Sequence, residues 1–408
     1  MASPSATIRP TRLSLAAVLA LGAAAALYVA LLPWHSADAD AWFVPWTQII
    51  IAEGPVHALA EPMRVTLEGT NGHANYNPPY LYLLILGSTA AGTLSPFAIV
   101  KLVSVAGALL CVACAYGLLR VFLSVEASLA GAAGLLLLPT LVLNAAAWGQ
   151  VDSYWAALAL LAVTAALRGQ FALMMAAFGA ALAFKAQAAF LGPFILYVVL
   201  ANRAGWQTVL VCAAVYAGML LPAWLAGRPA LDLATIYLEQ AQAYQWLSMN
   251  APNPWAFIQY FHLMSLTTGL VVGFSLAAAA GLAIAGLAAR VRLEGEGLLL
   301  LALVSAMAMP FLLPKMQDRY FFLADILSVV LALASRQRWA VGAAVLIQIG
   351  SLGAYGAHMI GFLHGRFIGG IAMGVAFAIL VVQLRQAVGA ARHAHVRTEA
   401  HCDGRRLP

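Results

Sequence analysis

Apolar stretches of 14 to 25 residues, nearly free of charge, follow one another through most of this chain. They run at 13–32, 80–94, 97–119, 127–146, 154–167, 171–184, 188–201, 207–225, 265–289, 298–313, 320–334, 340–362 and 367–384. All are rich in Ala and Leu, and none alternates with the period of two that a barrel strand needs, so each reads as helix. With 63% of 408 residues apolar and only 9% charged, a soluble fold could not keep its apolar surface from water. A bilayer accepts such a chain. The expected fold class is an all-α polytopic membrane protein.

The net charge of +6 and pI of about 9.3 would also suit a nucleic-acid binder. The basic residues, however, are scattered over short loops and a tail instead of being gathered on one face, so no nucleic-acid partner is expected. They serve instead to orient the chain, since cytoplasmic loops carry the excess of Lys and Arg. Arg9 and Arg12 precede the first run, and Arg120, Arg168, Arg203, Arg290, Arg292, Arg336 and Arg338 follow later ones. If 80–94 crosses, the first two fall on the opposite side from all the others. As a helix that run reaches only about 22 Å, short of the ~30 Å of hydrocarbon. We therefore read it as a non-crossing interfacial helix in the first outer loop, with about 12 crossings in all and both termini cytoplasmic.

On this reading residues 1–384 form a single membrane-embedded domain, and 385–408, with its Arg and His, a disordered cytoplasmic tail. The stretch 13–32 is long for a signal peptide and reads as a retained first helix. Cys111 and Cys114 lie inside an apolar run without the partner pair that zinc needs, so they read as small apolar residues.

A few charges do not mark helix ends: Asp38, Asp40, Asp152, Lys185, Lys315, Asp318 and Arg319. Charge in a membrane chain is costly, and each of these asks for a reason. In the topology above they all fall on the non-cytoplasmic side. Asp38 and Asp40 directly follow the first apolar run and precede the aromatic stretch Trp42-Phe43-Val44-Pro45-Trp46. They could simply end a helix beside an aromatic belt, or one could act as a general base. Asn75-Tyr76-Asn77-Pro78-Pro79-Tyr80 fixes an extended turn, with a structural role as open as ligand contact. Trp148-Gly149-Gln150-Val151-Asp152-Ser153 places polar atoms at a membrane boundary, as either a plain turn or a site.

Lys185-Ala186-Gln187 separates two short runs, so its ammonium should be recessed and seek an anion unless it snorkels to the interface. Asn250-Ala251-Pro252-Asn253 is a proline-pinned loop of amides that could hold sugar hydroxyls. Lys315-Met316-Gln317-Asp318-Arg319-Tyr320 brings together three charges in five residues. Arg suits phosphate in fork geometry, although an Asp318–Arg319 pair would also account for two of the charges.

These segments, in this order and spanning residues 38 to 320, resemble the GT-C superfamily of integral-membrane glycosyltransferases. The likeness is to the branch that uses polyprenyl- or dolichyl-phosphate sugars, including family-87-type mannosyltransferases and the glucosyltransferases of N-glycan assembly. Such proteins often have Pro where this chain has Ala186 and His where it has Gln317. The second departure leaves Lys315 and Arg319 as anion ligands.

The resemblance implies an inverting transfer of a hexose, mannose or similar, from a polyprenyl-phosphate carrier to a glycan, lipid or protein acceptor outside the cytoplasm. Asp38 or Asp40 would be the base. Lys185, Arg319 and Lys315 would meet the leaving phosphate. Trp46, Asn77, Gln150, Asp152, Gln187, Asn250, Asn253 and Asp318 would contact substrate. Neither a metal nor a cofactor is implied. A transporter or lipid flippase of the envelope, also polytopic with recessed polar groups, is the rival class, and a scaffold subunit, which would not need the recessed cations, a third.

Overall fold

The computed structural model describes residues 15–64, 71–72, 74, 76–202, 204–242 and 244–403. Helices dominate. Many begin at proline, whose missing N–H costs nothing in the first turn: Pro78–Ser88, Pro96–Leu119, Pro139–Val142 and Pro254–Tyr260. Side-chain caps close some of these starts, with Ser95 accepting from the Ala98 amide at 3.2 Å and Asn253 from the Trp255 amide at 3.1 Å.

The expected twelve crossings do not stand. Among the described residues six helices are long and apolar enough to cross a membrane: Pro96–Leu119, Gln207–Ala226, Leu266–Ala289, Gly295–Leu312, Arg338–Met359 and Gly365–His393. There are seven if Val125–Leu135 and Pro139–Trp148, bent by 55° against each other, form one broken span. The remaining apolar runs fold as shorter helices, including Leu15–Leu31, Asp152–Leu167, Phe171–Phe184 and Phe322–Ser335. Fourteen residues of helix, as in the last two, rise only about 21 Å. Hydropathy failed to separate crossing helices from buried ones because both shun water. Asp152–Leu167 is apolar on nearly every side because protein, not lipid, surrounds it. The run 80–94 lies mostly in the helix Pro78–Ser88, 11 residues long. The last helix continues past residue 385, where a tail was expected, to Asp403.

Two packing devices set the frame. The helices Arg338–Met359 and Gly365–Asp403 meet backbone to backbone: a Cβ at Gly353 would lie 2.3 Å from the Gly365 carbonyl oxygen, and one at Gly369 2.5 Å from that of Gly350. Only glycine permits that approach. On the first-loop side, Phe43, Trp46, Tyr76 and Tyr80 interlock edge to face, with Phe43–Tyr80 at 5.3 Å and Trp46–Tyr76 at 5.7 Å between ring centres. Such pairs add about 0.5–1.5 kcal/mol each beyond burial. They weld the helices Val44–Glu53 and Pro78–Ser88 into one body that also takes in Ala39, the residue after Asp38.

A short parallel pairing ties together two distant loops. Ser248 pairs with Met316 and Met249 with Gln317, and Asn250 bridges to Gln317. Lys315 sits at φ +62° and Asn250 at φ +62°, left-handed backbone that is uncommon outside glycine.

Candidate active site

The site begins with two irregular helical turns. Wide five-residue-spaced turns occupy Ala39–Phe43 and Leu143–Trp148, a form that gathers at functional sites. Gly149, at φ +78°, then reverses the second of them, which an L side chain would resist. Lys101, buried in the helix Pro96–Leu119, donates to the carbonyls of Ala146, at 3.0 Å, and Ala147. A cation there satisfies the orphan carbonyls of a helix end. Ser36 Oγ donates to the Trp148 carbonyl at 2.6 Å, and Ser104 to that of Gln150. The first loop is thereby pinned against the Trp148-Gly149-Gln150 turn.

Asp38 lies across that junction. Trp148 Nε1 donates to its Oδ2 at 3.0 Å, and Gln150 Nε2 donates to the same atom. Arg319 Nη1 stands 3.6 Å from it. No described residue hydrogen-bonds to Oδ1. Asp152, at the start of its helix, is fully enclosed: Lys185 Nζ is 2.7 Å from Oδ1, Trp155 Nε1 donates at 3.1 Å, and Asn144 Nδ2 donates to Oδ2 at 2.9 Å. Lys185 also lies over the Tyr76 ring at 4.9 Å. It occupies the extended break between Phe171–Phe184 and the turn Ala186–Leu191, as a recessed ammonium should.

Arg319 connects the carboxylates. Its Nη1 is 3.4 Å from Asp318 Oδ1, its Nε is 3.6 Å from Asp152 Oδ2, and its guanidinium lies 5.1 Å from the Trp148 ring centre. The Nε is buried and has no hydrogen-bond partner among the described residues. Burial works against its charge, but Asp38, with Tyr76, Asp318 and Asp152, outweighs that and holds the guanidinium protonated. Asp318 is held in turn by His358, whose Nδ1 lies 3.0 Å from Oδ2 and whose ring stacks on Trp148 at 4.5 Å.

Two cavities adjoin this cluster. The first, of about 270 Å³, is lined by Asp38, Lys185, Gln187, Lys315 and Arg319, with Tyr76, Tyr237, Phe190 and Phe274 around them. The second, of about 450 Å³, is lined by Asp38, Asp318, Arg319 and His358 with Asn250, Gln259, Ser248, Tyr244 and Trp246. Asp38 and Arg319 belong to both.

Of the residues singled out in the sequence, Asp38, Asp152, Lys185, Asp318 and Arg319 form one contiguous charge cluster, with Gln150 bonded into it. Gln187, Lys315 and Asn250 line the cavities beside it. Lys315 donates to the Ala241 carbonyl at 2.8 Å and pairs with no described carboxylate. Asp40 lines neither cavity; it pairs with His35 at 2.9 Å on an exposed edge. Trp46, Asn77 and Asn253 are buried behind the walls. Trp46 packs in the aromatic cluster, Asn77 donates to Tyr237 at 2.7 Å, and Asn253 caps a helix while donating to the Pro310 carbonyl at 3.0 Å. Asn75 lies outside the described residues, as do Arg9, Arg12 and Arg203.

Sequence reasoning missed Lys101, Asn144 and His358. A signal was present for two of them: Lys101 is the only charge in 97–119, and His358 the only histidine, with no Asp, Glu, Lys or Arg, in 340–362. Among the described residues no group of three or more His, Cys, Asp or Glu side chains could hold a metal ion.

This arrangement of membrane-length and shorter buried helices is a fold with a solved counterpart. A solved structure that shares it is ArnT from Cupriavidus metallidurans bound to undecaprenyl phosphate, with a TM-score of 0.53 and 15% identity over 96% of this chain and 80% of that one. No protein-family model and no curated protein matches the chain.

Proposed function

We propose that this protein is an inverting glycosyltransferase that moves a hexose, mannose or similar, from a polyprenyl-phosphate carrier to an acceptor outside the cytoplasm. One observation carries the reading: a carboxylate with an unengaged oxygen, Asp38, shares a single cavity with three cations, Lys185, Lys315 and Arg319. That is the pairing an inverting displacement needs. Asp38 Oδ1 takes the proton of the acceptor hydroxyl. The hydroxyl oxygen bonds to the anomeric carbon, and the bond from that carbon to the phosphate oxygen breaks, with its electron pair leaving on phosphate. The cations meet the charge that develops there.

The geometry divides the labour among them. Lys185 is already matched by Asp152 at 2.7 Å, so it shapes the wall and lends part of its field. Lys315, held among the described residues only by the Ala241 carbonyl, is the cation free to follow an arriving phosphate. Arg319, with its Nε hydrogen-bonded to none of the described residues, reaches from the base to the leaving group. Phe190 and Phe274 line the same cavity, and Phe274, 59% exposed on a membrane-length helix, offers a side entrance for a prenyl chain. The fold shared with a protein bound to undecaprenyl phosphate supports a donor of that class. The reading calls on no metal or cofactor.

The extracytoplasmic placement rests on helix polarity. Pro96–Leu119, long enough to cross, brings its first turn to the site and ends at Arg120. Gly295–Leu312 runs from just after Arg290 and Arg292 toward Lys315. Arg338–Met359, also long enough to cross, starts at Arg338 and brings His358 to the site. Every one of these arginines is at the far end, and the positive end of a membrane bundle faces the cytoplasm.

The test is transfer by the purified, lipid-reconstituted protein from radiolabelled polyprenyl-phosphate hexoses to extracted envelope glycans and lipids. Label should move with inversion at the anomeric carbon, and Asp38→Asn should lower the rate by about 10²–10⁴-fold while the protein stays folded. Retention of configuration, or an unimpaired Asp38→Asn variant, would refute the assignment. Asp40→Asn should cost far less.

A further inference from the structure

We infer that the second cavity is an acceptor subsite built for an uncharged sugar; this rests on the transferase reading above. The two cavities share Asp38 and Arg319 but differ in the sign of their walls. The first sets three cations, Lys185, Lys315 and Arg319, against one carboxylate. The second sets one arginine against two carboxylates, Asp38 and Asp318, with His358 beside them. A phosphate is therefore drawn more strongly to the first than to the second, where Asp38 and Asp318 already offset Arg319 and the His358 imidazole.

The second cavity instead offers groups that suit hydroxyls. Asn250 Oδ1 accepts from Arg366 at 3.0 Å, and Gln259 Oε1 accepts from the Ser248 amide at 2.9 Å. Each amide thus has its acceptor engaged and its NH₂ donors unclaimed by any described residue. Carboxylate oxygens on the Asp38 and Asp318 side supply the matching acceptors. Trp246, 60% exposed, adds a broad apolar face of the kind that covers the C–H side of a pyranose. An acceptor lying on Trp246 would thus have its hydroxyl edge toward Asp38, across Arg319 from the donor. The pairing of Ser248–Met249 with Met316–Gln317 holds the two cavity walls in register.

Saturation-transfer NMR on the full chain in lipid nanodiscs tests this, with methyl glucoside, mannoside and galactoside as neutral probes. The corresponding hexose 6-phosphates serve as anionic probes, and undecaprenyl phosphate binding is followed in parallel. At least one neutral glycoside should bind, more tightly than its 6-phosphate. Trp246→Ala should weaken it by about tenfold and Trp246→Phe should restore part of the loss, with undecaprenyl phosphate binding unchanged. Absence of any glycoside signal, preference for the 6-phosphates, or indifference to Trp246→Ala, with undecaprenyl phosphate still bound, overturns the acceptor assignment alone. Glycoside binding intact without undecaprenyl phosphate binding overturns the donor reading and leaves the neutral-sugar cavity in place.

Discussion

Asp152 and Asp325 are both carboxylates sunk in the helical bundle, and the protein surrounds them in opposite ways. Asp152 meets an ammonium, a guanidinium, an amide and an indole N–H. Asp325 meets the Ser351 hydroxyl at 2.7 Å, has no cation in ion-pair reach among the described residues, and leaves Oδ2 without a hydrogen bond. Full charge is kept where opposite charge is supplied to it, because an uncompensated buried ion is several kcal/mol too costly. The carboxyl at Asp325 works as a polar link between the helices Phe322–Ser335 and Arg338–Met359. The one at Asp152 organises the cations of the site.

Breaking the first environment should hurt most. Asp152→Asn leaves Lys185 buried without its counter-charge and should cost about 3–5 kcal/mol of stability, read by thermal unfolding in detergent. Adding Lys185→Met should recover stability but not transfer, which separates the pair's structural role from its chemical one. Next comes Arg319→Ala, expected to remove about 2–4 kcal/mol of transition-state stabilisation in the transfer assay. Arg319→Lys should regain only part, since an ammonium lacks the fork. Lys101→Met should cost about 1–3 kcal/mol by stranding the Ala146 and Ala147 carbonyls, and should slow turnover by loosening Trp148 and Gln150. Smallest is Asp325→Asn, which keeps an acceptor for Ser351 and should shift stability by less than about 1 kcal/mol without loss of activity. Should Asp325→Asn prove as damaging as Asp152→Asn, the contrast between charged and merely polar burial fails.

Much of the charge cluster was legible from scarcity. In a chain this apolar, Asp38, Asp152, Lys185, Asp318 and Arg319 stood out because nothing about helix ends required them, and the fold draws them together. The number of crossings was not legible. Asp152–Leu167 and Phe322–Ser335 carry the same hydropathy as a span because burial in protein and burial in lipid select the same side chains. The motif residues Trp46, Asn77 and Asn253 share neighbours in sequence with cavity residues, yet each turns into the packing. Sequence adjacency to a site does not fix which way a side chain faces. His358 was hidden for the converse reason: it belongs to no polar loop, and only the return of its helix brings it beside Asp318.

The looseness of Arg319 bears on how the protein lets go. Its three carboxylate contacts fall between 3.4 and 3.6 Å, against 2.7 Å for Lys185 on Asp152. Well-formed N–H···O hydrogen bonds span about 2.7–3.2 Å. The guanidinium is thus held by charge more than by short hydrogen bonds, and on the proposed transfer a turn toward a lipid phosphate would exchange one set of anions for another. The three carboxylates, Asp38, Asp152 and Asp318, would reclaim it once the sugar had gone. A site that gripped its spent carrier with a fully committed arginine would stall after one turnover. On the proposed transfer, the resting cluster would compete with the spent carrier, and that competition would clear the cavity for the next one.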